Sequence, residues 1–214
     1  MTPAQQHFHS QVGPWINRFR NDMKCGKYDA VAVFGNSGQE TLGWTKLQEM
    51  KPIVPGSRGG YGWMQWTGAR RLQFERFCAT RGYKTNDFEA NYQYLLHELR
   101  NTPEGKAMRA MFAKVSLDDK VVAFEQNFLR AHKDYKHYDS RRAWAKIALD
   151  AYEEYLDANP GLSTRTEPAP AIGGGAPPVT TTPTPVNGKA LVAGGALAGL
   201  VALAYAIWQG VIGG

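Results

Sequence analysis

The residues best suited to chemistry lie in two short segments of the sequence. Residues 35–41 read GNSGQET and place Glu40 at the end of an apolar segment, whereas residues 59–71 read GGYGWMQWTGARR and combine glycines, aromatic rings and Gln65. A carboxyl in apolar surroundings can keep its proton near neutral pH, because burial disfavours the charged form. An amide can bind sugar hydroxyl or N-acetyl groups, and aromatic rings can stack on sugars. Cleavage of a glycosidic bond requires these parts.

Taken together, the two segments resemble the phage tail lysozyme family. Its pattern is Gly-Asn several residues before Glu-Ser, followed by a Gly-Tyr-Gly-x-x-Gln-Trp-Thr-Gly-x-Arg turn; here Thr41 replaces the serine. Residues 91–99 and 124–131 also resemble later segments of the family. The resemblance covers roughly residues 28–155. It implies a lysozyme-like domain, related to goose-type lysozymes and lytic transglycosylases, from a bacteriophage or prophage.

The resemblance implies that Glu40 is the general acid and that Gln65 binds substrate. The amide of Gln65 could instead pin the turn as a structural group. Tyr61, Trp63 and Trp66 are candidates for stacking on sugar rings, and equally for anchoring the core. We expect one or two of these three rings to lie in the cleft.

Three further residues have open roles at this stage. Arg70 and Arg71 are either an ordinary solvated helix start or include one arginine that orients Glu40 or binds a muramyl carboxylate. Tyr92 either lines the floor of the cleft or packs in the core.

The presence or absence of a second carboxylate would decide between hydrolysis and transglycosylation. An inverting hydrolase needs a base about 6.5–9.5 Å from the acid to activate water. Asp29, Glu49 and Glu98 are candidates, and the sequence singles out none of them. Without such a base, lytic transglycosylases use a hydroxyl of the muramyl sugar and release an anhydro sugar. Both reactions remain open.

The elements that position these residues are predicted to be mostly helical, giving an α+β, mostly α, lysozyme-like domain over residues 1–159. Periodicity does not decide between a helix and a strand for residues 30–34. The resemblance to the family implies a helix that carries Glu40 to the cleft. Residues 43–62 are the one place for a small sheet or flap. Apolar spacing and capping signals predict helices over residues 12–23, 67–81, 86–99 and 140–158, and two more that begin at residues 102 and 116. In the helix over 67–81, Leu72 and Phe77 are expected to face inward.

Composition bounds the partners. The formal net charge of +6 is scattered along the chain and accompanied by no nucleic-acid motif, so we expect a polyanion such as cell-wall polymer, and no nucleic acid. The five histidines show no metal-ligand spacing, and we expect no cofactor. Cys25 and Cys78 are predicted to be buried free thiols, with a disulfide left open.

The end of the sequence differs from the rest in composition. Residues 160–188 are rich in Pro, Thr and Gly and predict a disordered linker. Residues 189–214 carry no charge after Lys189 and are long enough to cross a bilayer once, which predicts a C-terminal transmembrane anchor. Gly195 and Gly199 offer a small-residue face for helix self-association.

These patterns together predict a membrane-anchored phage enzyme, in the virion or the host envelope. It would cut the β-1,4 bond between N-acetylmuramic acid and N-acetylglucosamine, either as the genome enters the cell or at host lysis. One lysine before the anchor favours a cytoplasmic or virion-interior catalytic domain. The alternatives are a non-catalytic structural protein that binds peptidoglycan or tethers a membrane, and a membrane pore formed by the glycine-rich helix.

Overall fold

The structure, a computed structural model, describes residues 1–52 and 54–163. The predictions for residues 164–188 and for the anchor at 189–214 lie outside the described residues. In the described part, no helix is long and apolar enough to cross a membrane. The helices are α1 (Pro3–Met23), α2 (Lys27–Glu40), α3 (Gly68–Arg81), α4 (Phe88–Asn101), α5 (Lys106–Phe112), α6 (Leu117–Phe124), α7 (Tyr138–Asp157) and α8 (Pro160–Ser163).

Local signals set the bounds of several helices. The side chain of Thr2 accepts a hydrogen bond from the backbone of Gln5 at the start of α1, and Ser116 does the same for Asp119 at the start of α6. Helix α3 ends at Gly82, which adopts a left-handed conformation with φ of +70°. The buried stripe of α1 consists of Phe8, Val12, Gly13, Ile16 and Phe19.

Helix α2 lies at the centre of the domain, packed against α1, α6 and α7, and residues 29–38 are all buried. A β-carbon on Gly35 would lie 2.5 Å from the α-carbon of Ala145, so only glycine allows α2 and α7 to approach this closely. The undecided apolar run is therefore a helix that ends at Glu40. The close packing fixes the end of α2 relative to α7.

The flap, residues 43–62, forms the small β component. The amide of Glu49 donates to the carbonyl of Gly60 at 2.9 Å, and the amide of Gly62 donates to Leu47 at 2.9 Å. Tyr61 also exchanges two hydrogen bonds with Trp66, at 2.9 and 3.0 Å. The mostly helical prediction is thus confirmed, while the pairing within the described residues amounts to two isolated antiparallel bridges.

The structure corrects two sequence predictions, for Leu72 and for residues 160–163, and decides the alternative left open for the two cysteines. Leu72 was expected to face inward and is 50% exposed, because Phe74 and Phe77 form the buried side of α3 together with Arg71. Residues 160–163, predicted to begin the linker, form α8. Cys25 and Cys78 are both buried, and the structure forms no disulfide between them, which decides the alternative left open by the sequence.

Candidate active site

Glu40 is the last residue of α2, at a sharp change in backbone direction. The next three residues after Thr41 all have left-handed conformations: Leu42 with φ of +48°, Gly43 with +66° and Trp44 with +66°. The amide of Trp44 donates to the hydroxyl of Thr41 at 2.9 Å and holds this turn. Backbone strain at non-glycine residues costs free energy and is concentrated at functional sites.

The carboxylate of Glu40 is paired with the guanidinium of Arg141 on α7. Nη2 of Arg141 lies 2.6 Å from Oε1 of Glu40, and the two side chains are 2% and 17% exposed respectively. Arg141 also donates to Oδ1 of Asn36 at 3.1 Å and to the carbonyl of Lys136 at 2.6 Å. Asn36 in turn donates to the carbonyl of Val121 at 3.1 Å. This network ties the acid to three parts of the domain.

The pKa of Glu40 is raised above its usual value. Burial is the main cause, and the charge and hydrogen bond of Arg141 act against it. The negative charges of Glu125 and Glu49 add to the rise of this pKa. Glu40 therefore holds a proton more readily than a surface glutamate, as a general acid must.

Glu125 lies at the start of a π-helical turn, Glu125–Leu129, that follows α6. Its side chain is completely buried. Oε1 accepts a hydrogen bond from the amide of Ala131 at 2.9 Å, and Oε2 accepts one from the hydroxyl of Tyr138 at 2.9 Å. Both oxygens of Glu125 are thus occupied by donors of the domain.

Gln65 lies in the turn after the flap, with φ of +47°. Its Nε2 donates to the carbonyls of Leu47 and Gly62, at 2.9 and 3.1 Å. The structural role left open for this amide is therefore real, since its nitrogen holds the flap against the turn. Gln65 is half-buried, and its Oε1 accepts no hydrogen bond from the described residues.

The aromatic candidates divide into one half-buried ring and three buried ones. Trp63, Trp66 and Tyr92 are completely buried, which argues against the predicted role of each in binding sugar. The ring of Trp63 stacks on Trp44 with 4.4 Å between centroids, and Nε1 of Trp66 donates to Glu98 at 2.5 Å. These rings pack the domain because their area is large and apolar. Only Tyr61 offers a half-buried ring.

Arg70 does not contact Glu40. Its Nε and Nη2 donate to the two carboxylate oxygens of Glu98, at 2.8 and 2.9 Å, and Nη1 donates to the carbonyl of Phe128 at 3.1 Å. Of the alternatives left open for Arg70 and Arg71, the pairing with Glu40 is made by Arg141 instead. Arg71 donates instead to the carbonyl of Gly59 at 3.0 Å and supports the flap.

The carboxylates predicted as candidates for a base have different surroundings. Asp29 lies 2.6 Å from Nζ of Lys120, and Glu98 is held by Arg70. Glu49 has no cation within 4 Å among residues 1–52 and 54–163. Over the same ranges, no group of three or more His, Cys, Asp or Glu side chains is placed to hold a metal ion.

The comparisons with known proteins agree with the motif. The family model for phage tail lysozyme matches residues 14–152, a span that contains Glu40, Glu49, Gln65 and Arg141. No curated protein and no solved structure matches the chain.

Proposed function

The chain belongs to the phage tail lysozyme family, and from this premise we propose that it cleaves the β-1,4 bond between N-acetylmuramic acid and N-acetylglucosamine. The family indicates a lysozyme-like, peptidoglycan-degrading role. The family match supports the choice of bond, and one observation supports Glu40 as the general acid. A carboxyl with a raised pKa ends the central helix, with one oxygen bound by a buried arginine.

The surroundings of Glu40 suit both of its states, the protonated carboxyl before the proton is given and the charged carboxylate afterwards. Burial raises the pKa of Glu40, and Oε2, which accepts no hydrogen bond from the described residues, can deliver the proton to the glycosidic oxygen. As the proton leaves, negative charge develops on Glu40, and the guanidinium 2.6 Å away stabilises it. A fixed charge aimed at the place where charge develops lowers the barrier.

Substrate positioning is assigned to Tyr61 and Gln65. The ring of Tyr61 is half-buried, and the backbone of Tyr61, at the end of the flap, exchanges two hydrogen bonds with Trp66. Oε1 of Gln65 can accept a hydrogen bond from an N-acetyl N–H, while its nitrogen stays bound to Leu47. Both groups are held by the backbone, so they need little reorganisation on binding.

Mass analysis of the muropeptides released from purified peptidoglycan tests this function. The proposal expects soluble fragments cut between muramic acid and glucosamine, with the stem peptides intact. Release of free stem peptides with intact glycan strands would contradict the bond assignment. Binding to sacculi without release of any soluble fragment would establish the non-catalytic alternative.

We also propose that residues 189–214 anchor the enzyme to a membrane of the virion or the host envelope, for use in wall penetration or lysis. Support comes from the uncharged run after Lys189. An arginine at the centre of a membrane helix costs about 2.5–3.5 kcal/mol. The full chain should therefore float with lipid vesicles, and a Leu200→Arg, Leu203→Arg variant should float less. Equal flotation of both proteins would exclude anchoring by this segment.

A further inference from the structure

We propose that Asn36 is a positioning residue for the acid: its side-chain amide holds Arg141 in the orientation in which the guanidinium meets Glu40. Asn36 is completely buried, so it acts on the reaction through Arg141 and not through contact with the substrate. It lies on α2, one helical turn before Glu40. This inference rests on the proposed role of Glu40 as the general acid.

The first support is that the two ends of the Asn36 amide cannot be exchanged. Its Nδ2 donates to the carbonyls of Ala32 and Val121, at 2.9 and 3.1 Å. Because both carbonyls are acceptors, the nitrogen must face them and the oxygen must face away. Oδ1 is thereby aimed at Nη1 of Arg141, 3.1 Å away. Helices α2 and α6, which supply the two carbonyls, thus fix the acceptor that Arg141 meets.

The second support is the set of bonds that fixes the plane of the Arg141 guanidinium. Nε donates to the carbonyl of Lys136 at 2.6 Å, Nη1 donates to Asn36 at 3.1 Å, and Nη2 lies 2.6 Å from Glu40. A guanidinium is planar and its donors form a rigid fork, so the first two bonds set the direction of the third. Without Asn36, the plane can turn about the bond to Lys136 and carry Nη2 away from the acid.

The third support is that Asn36 is neutral. Among residues 1–52 and 54–163, Glu40 is the carboxylate that pairs with Arg141 within 4 Å. An aspartate at position 36 would share the positive charge with Glu40, whereas an amide binds the guanidinium without competing for that charge. Asn36 therefore fixes the geometry of Arg141 and leaves its charge to act on the acid.

Asn91 on α4 has the same pattern of bonds and supplies a matched control. It is also completely buried, and its Nδ2 donates to the carbonyls of Thr85 and Asp87, at 3.0 and 2.8 Å. Its Oδ1, however, accepts from the backbone amide of Trp63 at 2.9 Å. Alanine therefore removes three hydrogen bonds of a buried amide at either position, and only at position 36 does one of them hold the arginine beside the acid.

The experiment measures kcat and KM against pH on purified peptidoglycan for the full wild-type chain, Asn36→Ala and Asn91→Ala. We expect kcat of Asn36→Ala at its optimum to fall by about 10–10²-fold, because a misplacement of about 1 Å in a site can cost about 10²-fold. KM should stay unchanged, since the buried side chain does not meet the substrate. Asn91→Ala should lose a similar free energy of unfolding and keep the pH profile of wild type.

The pH profile of kcat supplies a readout that a purely structural role would not move. The fall of kcat at high pH follows ionisation of the acid in the enzyme–substrate complex. Burial raises the pKa of Glu40, Arg141 lowers it, and the charges of Glu125 and Glu49 raise it. Asn36→Ala leaves the two carboxylates in place and loosens the guanidinium, so the fall of kcat should shift to higher pH.

A double-mutant cycle tests whether Asn36 acts through Arg141. When Arg141 is already methionine, adding Asn36→Ala should change kcat by less than about twofold, because the group that it positions is gone. Asn36→Ser is the milder variant if the alanine variant does not fold. Its hydroxyl can donate to the carbonyl of Ala32, as the hydroxyl of Thr41 does to Ser37, but it is too short to reach Arg141. It should show the same loss of kcat and the same shift.

The outcomes separate this inference from the proposed function. An unshifted pH profile in an Asn36 variant, a shift to lower pH, or a full loss of kcat retained beside Arg141→Met would overturn the positioning role and leave Glu40 as the acid. An equal shift in Asn91→Ala would also overturn it, because the shift would then follow from lost packing alone. Absence of soluble fragments from wild type would overturn the proposed function itself.

Discussion

Replacing Arg141 with methionine tests the pairing that positions Glu40. The guanidinium is 2% exposed, and its loss leaves the carboxylate of Glu40, Oδ1 of Asn36 and the carbonyl of Lys136 without that donor. Two charges about 4 Å apart interact by about 4 kcal/mol at an effective dielectric constant of about 20. Removing one partner of a buried pair costs about 3–5 kcal/mol. We expect the free energy of unfolding at pH 8 to fall by about this amount.

The loss of stability should depend on pH because Glu40 can take up a proton. Burial already raises the pKa of Glu40, and removal of the opposing charge of Arg141 raises it further. A carboxyl whose folded pKa exceeds its unfolded pKa loses stability as the pH rises above the unfolded value through the folded one. The ordinary value is 4.5, so the gap between wild type and variant should widen from pH 5 to pH 8.

Urea unfolding followed by tryptophan fluorescence measures this gap. Wild type, Arg141→Met, Glu40→Gln and the double variant are compared at pH 5 and pH 8, as a double-mutant cycle. Without a carboxyl at position 40, the added effect of Arg141→Met should no longer grow with pH. The pairing is refuted if Arg141→Met lowers the free energy of unfolding equally at pH 5 and pH 8. It is also refuted if the cost of Arg141→Met still grows with pH when Glu40 is replaced by glutamine.

Two other predictions test the packing around the site. Gly35→Ala should cost about 1–3 kcal/mol and reduce activity, because the new methyl group meets Ala145 and separates α2 from α7. Gly161→Ala is the control, because its added β-carbon would meet no atom within 4 Å, and it should change neither stability nor activity. Unchanged urea unfolding of Gly35→Ala would contradict the close approach of the two helices. Trp63→Ala should lose about 3–5 kcal/mol of stability, because the indole is completely buried. Tyr61→Ala should lose less stability and mainly raise KM. A larger stability loss in Tyr61→Ala and a larger rise of KM in Trp63→Ala would place the indole of Trp63 against the substrate.

The helices could be predicted where their signals are local. Gly82 ends α3 because its φ of +70° suits glycine, and α4, predicted over residues 86–99, spans Phe88–Asn101. The inward position predicted for Leu72 was wrong, because spacing along a short amphipathic helix does not show which neighbours cover each residue. Arg71 took a buried position beside Phe74 through bonds to the flap, and no local pattern encodes those bonds.

The site could be predicted only in part. Motif and spacing mark Glu40 and Gln65 as candidates, and their roles in catalysis and substrate binding stay predictions. Arg141 was missed because it reaches the acid only through the packing of α7 against α2, far apart in sequence. Trp63 and Trp66 were ambiguous for a physical reason: an aromatic ring in a glycine-rich turn serves equally well as a stacking surface and as core, and only the burial decides.

The central claim is that Glu40 donates the proton that breaks the glycosidic bond, and the rate of Glu40→Gln tests it most directly. Glutamine keeps the shape and can still accept from Arg141, but it has no acidic proton to give. The release of soluble muropeptides from purified peptidoglycan should fall at least about 10²–10⁴-fold, with binding to sacculi retained. A Glu40→Gln protein that digests peptidoglycan within about twofold of the wild-type rate would contradict the assignment.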